Sequence, residues 1–243
     1  MSDQQDFCGN LVLKELQLLH QDLAGMQIDA VLEPGDFMVV VGRNGAGKST
    51  LLHTIMGLLS PLRGQVILGP NDVFSLSPRE RATRMSFVTS TPPRHAGITV
   101  RETIELALRS GGDAVDSTVT EACMKSAGIG AWSDRSLDRL SDGMAQRVMV
   151  ARAAIQSKHT MVLDEPTAFL DVVGKEEVLV QLGQWKEKGR IIVLATHDLE
   201  AVAACGGVTH WLHLQPGMSG GSAFYRGGFE PEAVRAALRS EKG

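Results

Sequence analysis

The stretch Gly42-Arg43-Asn44-Gly45-Ala46-Gly47-Lys48-Ser49-Thr50 gathers the residue types that hold a phosphate chain. Gly42 and Gly47 are separated by four residues and followed by Lys48 and Ser49, the spacing of a phosphate-binding loop. Glycines let backbone N–H groups close around phosphate oxygens, and a helix opening at the loop adds its favourable dipole. The Lys48 ammonium can neutralise β- and γ-phosphates, and the Ser49 hydroxyl can ligate Mg²⁺. Asn44, Gly45, Ala46 and Thr50 complete the set of candidate phosphate contacts. A second cluster, Met161-Val162-Leu163-Asp164-Glu165, puts two carboxylates at the end of an aliphatic run. Asp164 is the candidate Mg²⁺ ligand, and Glu165 is placed to polarise an attacking water as general base. Asp-Glu-Pro could also be a charged turn after any strand, but its place downstream of the glycine loop favours the paired reading.

Such groups need rigid supports. Phe37–Val41 reads as a buried strand after the Pro34-Gly35-Asp36 turn, and Lys48 to Met56 as the helix that the loop opens. Val66–Leu68 and Met85–Val88 are short strand candidates. Thr160–Leu163 and Ile191–Ala195 are two more buried strands, each with a polar residue just past its C-terminal end. Glu176 to Glu187 is helical in character. This alternation predicts a parallel sheet with right-handed crossovers. From about 97 to 155 the strand signal disappears: Val100–Arg109 and Ser117–Ala127 read as helices around the loop Ser110–Asp113, a helical subdomain inserted in the core. Trp211–Leu214 reads as a strand, 217–221 as a loop, and Pro231–Arg239 as a final helix with proline in its first turn.

Three further motifs carry a family resemblance. Leu140-Ser141-Asp142-Gly143-Met144-Ala145-Gln146-Arg147 resembles the signature of ABC ATPases, Ala168-Phe169-Leu170-Asp171 their D-loop, and Thr196-His197-Asp198 their switch histidine. With the glycine loop and the acidic pair, five motifs stand in the family's order between Gly42 and His197. The resemblance implies one ABC ATPase domain over 1–243: a RecA-like P-loop NTPase α/β core, an antiparallel β subdomain near the N-terminus and the inserted helical subdomain. It also implies ATP and Mg²⁺ as ligands, and head-to-tail pairing with a second ATPase subunit, most simply another copy. Ser141 and Gly143 would then face the γ-phosphate in the opposite subunit, Asp171 would cross the interface, and His197 would sense the phosphate. Alone, His197 would read as a core or capping histidine.

Within the family, Leu76-Ser77-Pro78-Arg79-Glu80-Arg81-Ala82 and Ile98-Thr99-Val100-Arg101-Glu102 resemble the ATPases of iron-siderophore, haem and cobalamin importers. Ser77 followed by Pro78 is also a generic helix start. The resemblance implies permease subunits in a membrane as partners, with a substrate-binding protein acting indirectly. The chain departs from the family pattern at three places. The Q-loop glutamine should follow Met85–Val88, yet the chain reads Thr89-Ser90-Thr91, and Ser90 takes its place. The signature carries Asp142 and Met144 for a glycine and a glutamine, and Asp142 is expected to point away from phosphate. Where an aromatic ring should stack on adenine the chain has Leu18-Leu19-His20; His20 either stacks there or lies in solvent.

Composition narrows the class. Over 243 residues, 43% hydrophobic and 21% charged residues describe a chain that builds a core rather than a disordered one. A net charge of −4 and pI near 6.0 give no overall case for binding nucleic acid. Cys8, Cys123 and Cys205 are few, odd in number and distant, which fits a reducing compartment. Residues 1–10 lack the charge-then-apolar pattern of a secretion signal, and no apolar run approaches the ~20 residues that span a bilayer. The expected protein is an ATPase, peripheral on the cytoplasmic face of a membrane, that energises import. A soluble ABC ATPase without a permease, such as the iron–sulfur assembly type, and a regulatory subunit with little hydrolysis are the alternatives.

Overall fold

The computed structural model describes residues 9–19, 26–94, 97–215 and 223–239. His20, Cys8 and the loop 217–221 lie outside the described residues.

The described elements open with strands β1 (Leu11–Gln17), β2 (Ile28–Leu32) and β3 (Phe37–Val41), then helix α1 (Lys48–Ile55), β4 (Arg63–Leu68) and β5 (Asn71–Asp72). Helix α2 (Pro78–Arg84) and strand β6 (Met85–Val88) lead into three helices, α3 (Val100–Gly111), α4 (Ser117–Ser126) and α5 (Asp142–Gln156). The remainder alternates: β7 (Thr160–Asp164), α6 (Val172–Glu187), β8 (Ile191–Ala195), α7 (Leu199–Cys205), β9 (His210–His213), β10 (Ala223–Arg226) and α8 (Pro231–Arg239).

Two sheets result. An antiparallel sheet has the order β2-β1-β4-β5, and the central sheet has the order β10-β9-β3-β8-β7-β6. In the central sheet β9, β3, β8, β7 and β6 run parallel, and β10 closes one edge antiparallel to β9. There Trp211 and Tyr225 stack at 3.9 Å between ring centroids, joining β9 to the edge strand β10 across the pair.

Alternation along β3 shows how the layers are held. Phe37, Val39 and Val41 pack into one core with Val148 and Met149 of α5 and Val178 and Leu182 of α6. Met38 and Val40 point the other way, into a second core with Leu51 and Ile55 of α1 and the inner face of the antiparallel sheet. All five strand residues are buried, so β3 is apolar throughout, as a parallel strand covered on both faces must be. Burial of side chains this size is worth about 1.5–3 kcal/mol each, which makes the sheet a rigid base for the loops at its end. The fold is a RecA-like P-loop core with an antiparallel β subdomain and an inserted helical subdomain.

Several boundaries move from the sequence reading for local reasons. Helix α3 continues through Ser110 and Gly111 and stops at Gly112, which caps it at φ 84°. Helix α6 begins four residues before Glu176 because the Asp171 carboxylate accepts a hydrogen bond from Gly174 N and caps it. Both importer-like stretches become helix starts: Ser77 with Glu80, and Thr99 with Glu102, form reciprocal capping boxes. No helix among the described residues is long and apolar enough to cross a membrane.

Candidate nucleotide site

The parallel register aligns the strand ends. Val40 of β3 and Asp164 of β7 both pair with Ala195 of β8, and Val88 of β6 pairs with Leu163. Residues just past those positions therefore emerge along one edge, at the carboxyl ends of the strands where open α/β sheets bind ligands. Asn44, Gly45, Gly47, Lys48, Ser49, Thr50, Ser90, Asp164, Glu165 and His197 line one cleft there, of about 360 Å³. Strand order matters as well: β8 lies between β3 and β7, so His197 rises between the glycine loop and the acidic pair.

The loop takes the shape its glycines permit. Gly45 and Gly47 sit at φ 80° and 87°, in the left-handed region that side chains disfavour. A Cβ on Gly42 would lie 3.0 Å from both Ala46 Cβ and the Leu214 carbonyl, so a side chain there would force its neighbours apart and glycine suits the closed loop. Lys48 is 8% exposed and donates to the carbonyls of Gly42 (3.0 Å) and Arg43 (3.2 Å), which hold its ammonium over the loop. Burial lowers its pKa, opposed by the Glu165 and Asp164 carboxylates facing it. Ser49 Oγ donates to Asp164 Oδ2 at 2.6 Å across 115 positions of sequence. A hydroxyl and a carboxylate held together are hard oxygen donors, a set that suits Mg²⁺ completed by phosphate and water. Among the described residues no cluster of three or more His, Cys, Asp or Glu offers an all-protein metal cage.

Among the described residues Glu165 is one of two non-glycine residues with positive φ, at 47°. Its N–H donates to the Ala195 carbonyl at 2.9 Å, so the chain turns sharply at the strand end and holds the carboxylate in the cleft. There it meets the switch loop: His197 N–H donates to Oε2 at 3.3 Å, and His197 Nε2 lies 3.3 Å from Oε1. Burial raises the Glu165 pKa, against the pull of His197 and Lys48. A carboxylate of raised basicity, anchored beside a histidine, can accept a proton from water.

Ser141, Gly143 and Asp171 do not line this cleft. Ser141 is the exposed N-cap of α5, its Oγ accepting from Met144 N at 3.2 Å. Gly143 packs on the D-loop of its own chain, where a Cβ would meet the Phe169 carbonyl at 2.9 Å. Asp171 is exposed on that loop, beside the solvent-facing Phe169, Val172 and Val173. The two groups of motif residues thus occupy separate surfaces of one chain. Asp142 points to Arg94, with which it forms an ion pair.

Sequence reasoning missed the ties between these surfaces. Lys175 of α6 pairs with Asp198 of the switch loop at 2.7 Å, and Arg147 of α5 pairs with Glu177 of α6. Gln146, wholly buried, donates from Nε2 to the Thr89 carbonyl at 3.4 Å, next to Ser90. These contacts join residues far apart in sequence, and no local pattern announces them.

A family model described as ABC transporter matches residues 26–168. The cobalamin import ATP-binding protein of Halobacterium salinarum is 36% identical over 197 residues, covering 76% of this chain and 49% of that protein. The chain thus spans about half the length of that relative. The thiamine import ATP-binding protein of Vibrio vulnificus is 34% identical, with 82% of this chain and 83% of that protein covered. A solved ATP-binding subunit of an ABC transporter superposes with a TM-score of 0.77 at 22% identity, covering 96% of this chain and 95% of the other. With a cleft of this geometry and a family match over residues 26–168, the chain belongs to the ABC transporter family of ATP-binding proteins.

Proposed function

We propose that this chain is a single ABC ATPase domain that hydrolyses Mg-ATP to energise import through a membrane permease, bound peripherally on the membrane's cytoplasmic face. One observation carries the reading: Lys48, Ser49, Asp164, Glu165 and His197 converge on one cleft, while Ser141, Gly143 and Asp171 present elsewhere. A site split this way is completed by a second copy, whose signature would close over the triphosphate. Lys48 would exchange its loop carbonyls for phosphate oxygens, with Asn44 to Thr50 as cradle. Ser49 and Asp164 would hold Mg²⁺, which neutralises charge on the transferring phosphoryl group. Glu165 would take the proton from water, and His197 would orient Glu165 and sense the γ-phosphate. The cobalamin-import relative and the stretch Leu76–Ala82 favour a cargo of the cobalamin, haem or iron-chelate class, delivered by a binding protein.

The test is pairing. The chain should be monomeric without nucleotide and dimerise with Mg-ATP in analytical ultracentrifugation. Ser141→Arg should abolish that dimer while ATP binding to the monomer stays within about threefold, since bulk at an exposed cap obstructs only the partner. A tight dimer through the same faces without nucleotide contradicts the reading.

Ser90 favours a second reading, a subunit that closes on ATP and hydrolyses it slowly. It lines the cleft in the Q-loop position, and its hydroxyl is shorter than a glutamine amide, so contact with the catalytic water would need a bridging water. Ser90→Gln should therefore raise basal phosphate release. Loss of release with ATP binding preserved would mean that the site is built around the small residue.

A further inference from the structure

The signature of this chain carries a carboxylate, Asp142, at the first position of the 15-residue helix α5. That end of α5 has to accept the other subunit's triphosphate if the paired-site reading above holds, on which this inference rests. An uncompensated carboxylate there would repel phosphate and cancel the positive end of the helix dipole. The structure supplies a counter-charge from 48 residues away. Arg94 donates one guanidinium nitrogen to the Asp142 carboxylate and another to the carbonyl of Leu140, spanning the turn that presents Ser141.

Arg94 belongs to the connector that leaves β6. Four residues earlier that connector carries Ser90, which lines the chain's own cleft. Gln146 of α5 holds the same connector at the Thr89 carbonyl. The connector is therefore fixed to the signature end of α5 at two points, Thr89 and Arg94, with Ser90 between them. One end of this unit lines the chain's own cleft, and under the paired-site reading the other would face the ATP of the second copy.

We propose that Arg94 is a positioning residue for the cross-subunit ATP contact. It neutralises Asp142, holds the Leu140–Asp142 turn so that Ser141 is presented to the partner's γ-phosphate, and ties that turn to the connector bearing Ser90. Arg94 touches neither nucleotide in this assignment; it acts through the turn. With side chains 35% and 58% exposed, the pair is screened by salt and adds little to folding stability. Its effect belongs to the ATP-bound dimer.

The experiment uses the Glu165→Gln background, so that hydrolysis does not reopen the dimer, and reads the dimer dissociation constant in Mg-ATP by analytical ultracentrifugation. Arg94→Ala should weaken dimerisation about tenfold, less than stranding a fully buried charge at an interface costs, because this pair is partly exposed. It should leave ATP affinity at the glycine loop and the nucleotide-free melting temperature nearly unchanged. Arg94→Ala with Asp142→Gly should recover most of the loss, because the stranded carboxylate is gone, and Arg94→Lys should fall between. Equal dimerisation in parent and Arg94→Ala overturns the proposal. So does a double variant no better than Arg94→Ala, which would show that Asp142 is not what Arg94 compensates. A parent that stays monomeric in Mg-ATP would overturn the paired-site reading itself.

Discussion

Glu165→Gln should bind Mg-ATP about as well as the wild type and hydrolyse it on the order of 10²–10⁴-fold more slowly, the range for loss of a general base. The substitution keeps size and shape. A glutamine carbonyl can still accept the His197 N–H that now reaches Oε2, and the backbone bond from residue 165 to Ala195 does not involve the side chain. Lys48, the Ser49–Asp164 pair and the glycine loop lie outside the change. What disappears is a carboxylate whose basicity burial has raised, within reach of the cleft. Because binding persists while turnover stops, the variant should accumulate as an ATP-bound dimer. Phosphate release under single-turnover conditions, beside a calorimetric binding titration, checks both halves. Hydrolysis at the wild-type rate would remove Glu165 from the role of base.

Lys48→Ala should act at the other step. A charge-assisted hydrogen bond to a charged ligand is worth roughly 1.5–3 kcal/mol. ATP affinity should therefore fall by about ten- to a hundredfold. Folding should barely change. The ammonium is held in the site against the burial that lowers its pKa, and its two partners are carbonyls of its own loop. Alanine removes both the hydrogen bonds and the desolvation, effects of opposite sign. The melting temperature without nucleotide should stay close to that of the wild type, while the upward shift produced by Mg-ATP should shrink with the logarithm of the lost affinity. Unchanged affinity in calorimetry would contradict the phosphate-cradle assignment.

The parts of the site that sequence made legible are those in which local residues determine local geometry. Strands β3, β7 and β8 are continuous apolar runs that can only be buried, and the residues just past them are where parallel sheets place ligands. The final helix could be read from Pro231 at its start. Strands β1 and β2 were harder. The alternation of Leu11, Leu13 and Leu16 slips where Glu15 adopts φ 49° and the pairing with β2 shifts register, so no clean period of two survives. Helix α5 hides for a different reason. Val148, Met149, Val150, Ala151, Ala153 and Ala154 are all buried, and a helix enclosed nearly all round has no amphipathic stripe to detect. The Arg94–Asp142 pair was legible only by half: Asp142 stood out within the signature, but Arg94 alone is an ordinary surface charge, and only the fold sets them together.

The central claim is that ATP is hydrolysed at a site completed by a second copy. The measurement that tests it most directly is phosphate release from Mg-ATP by the purified wild-type chain over a range of protein concentrations. Because each site needs two chains, activity per mole should rise with concentration until the dimer saturates, and an excess of Glu165→Gln subunits should alter it by forming mixed pairs. Specific activity independent of concentration in a chain that remains monomeric would contradict the account, as would no phosphate release at any concentration.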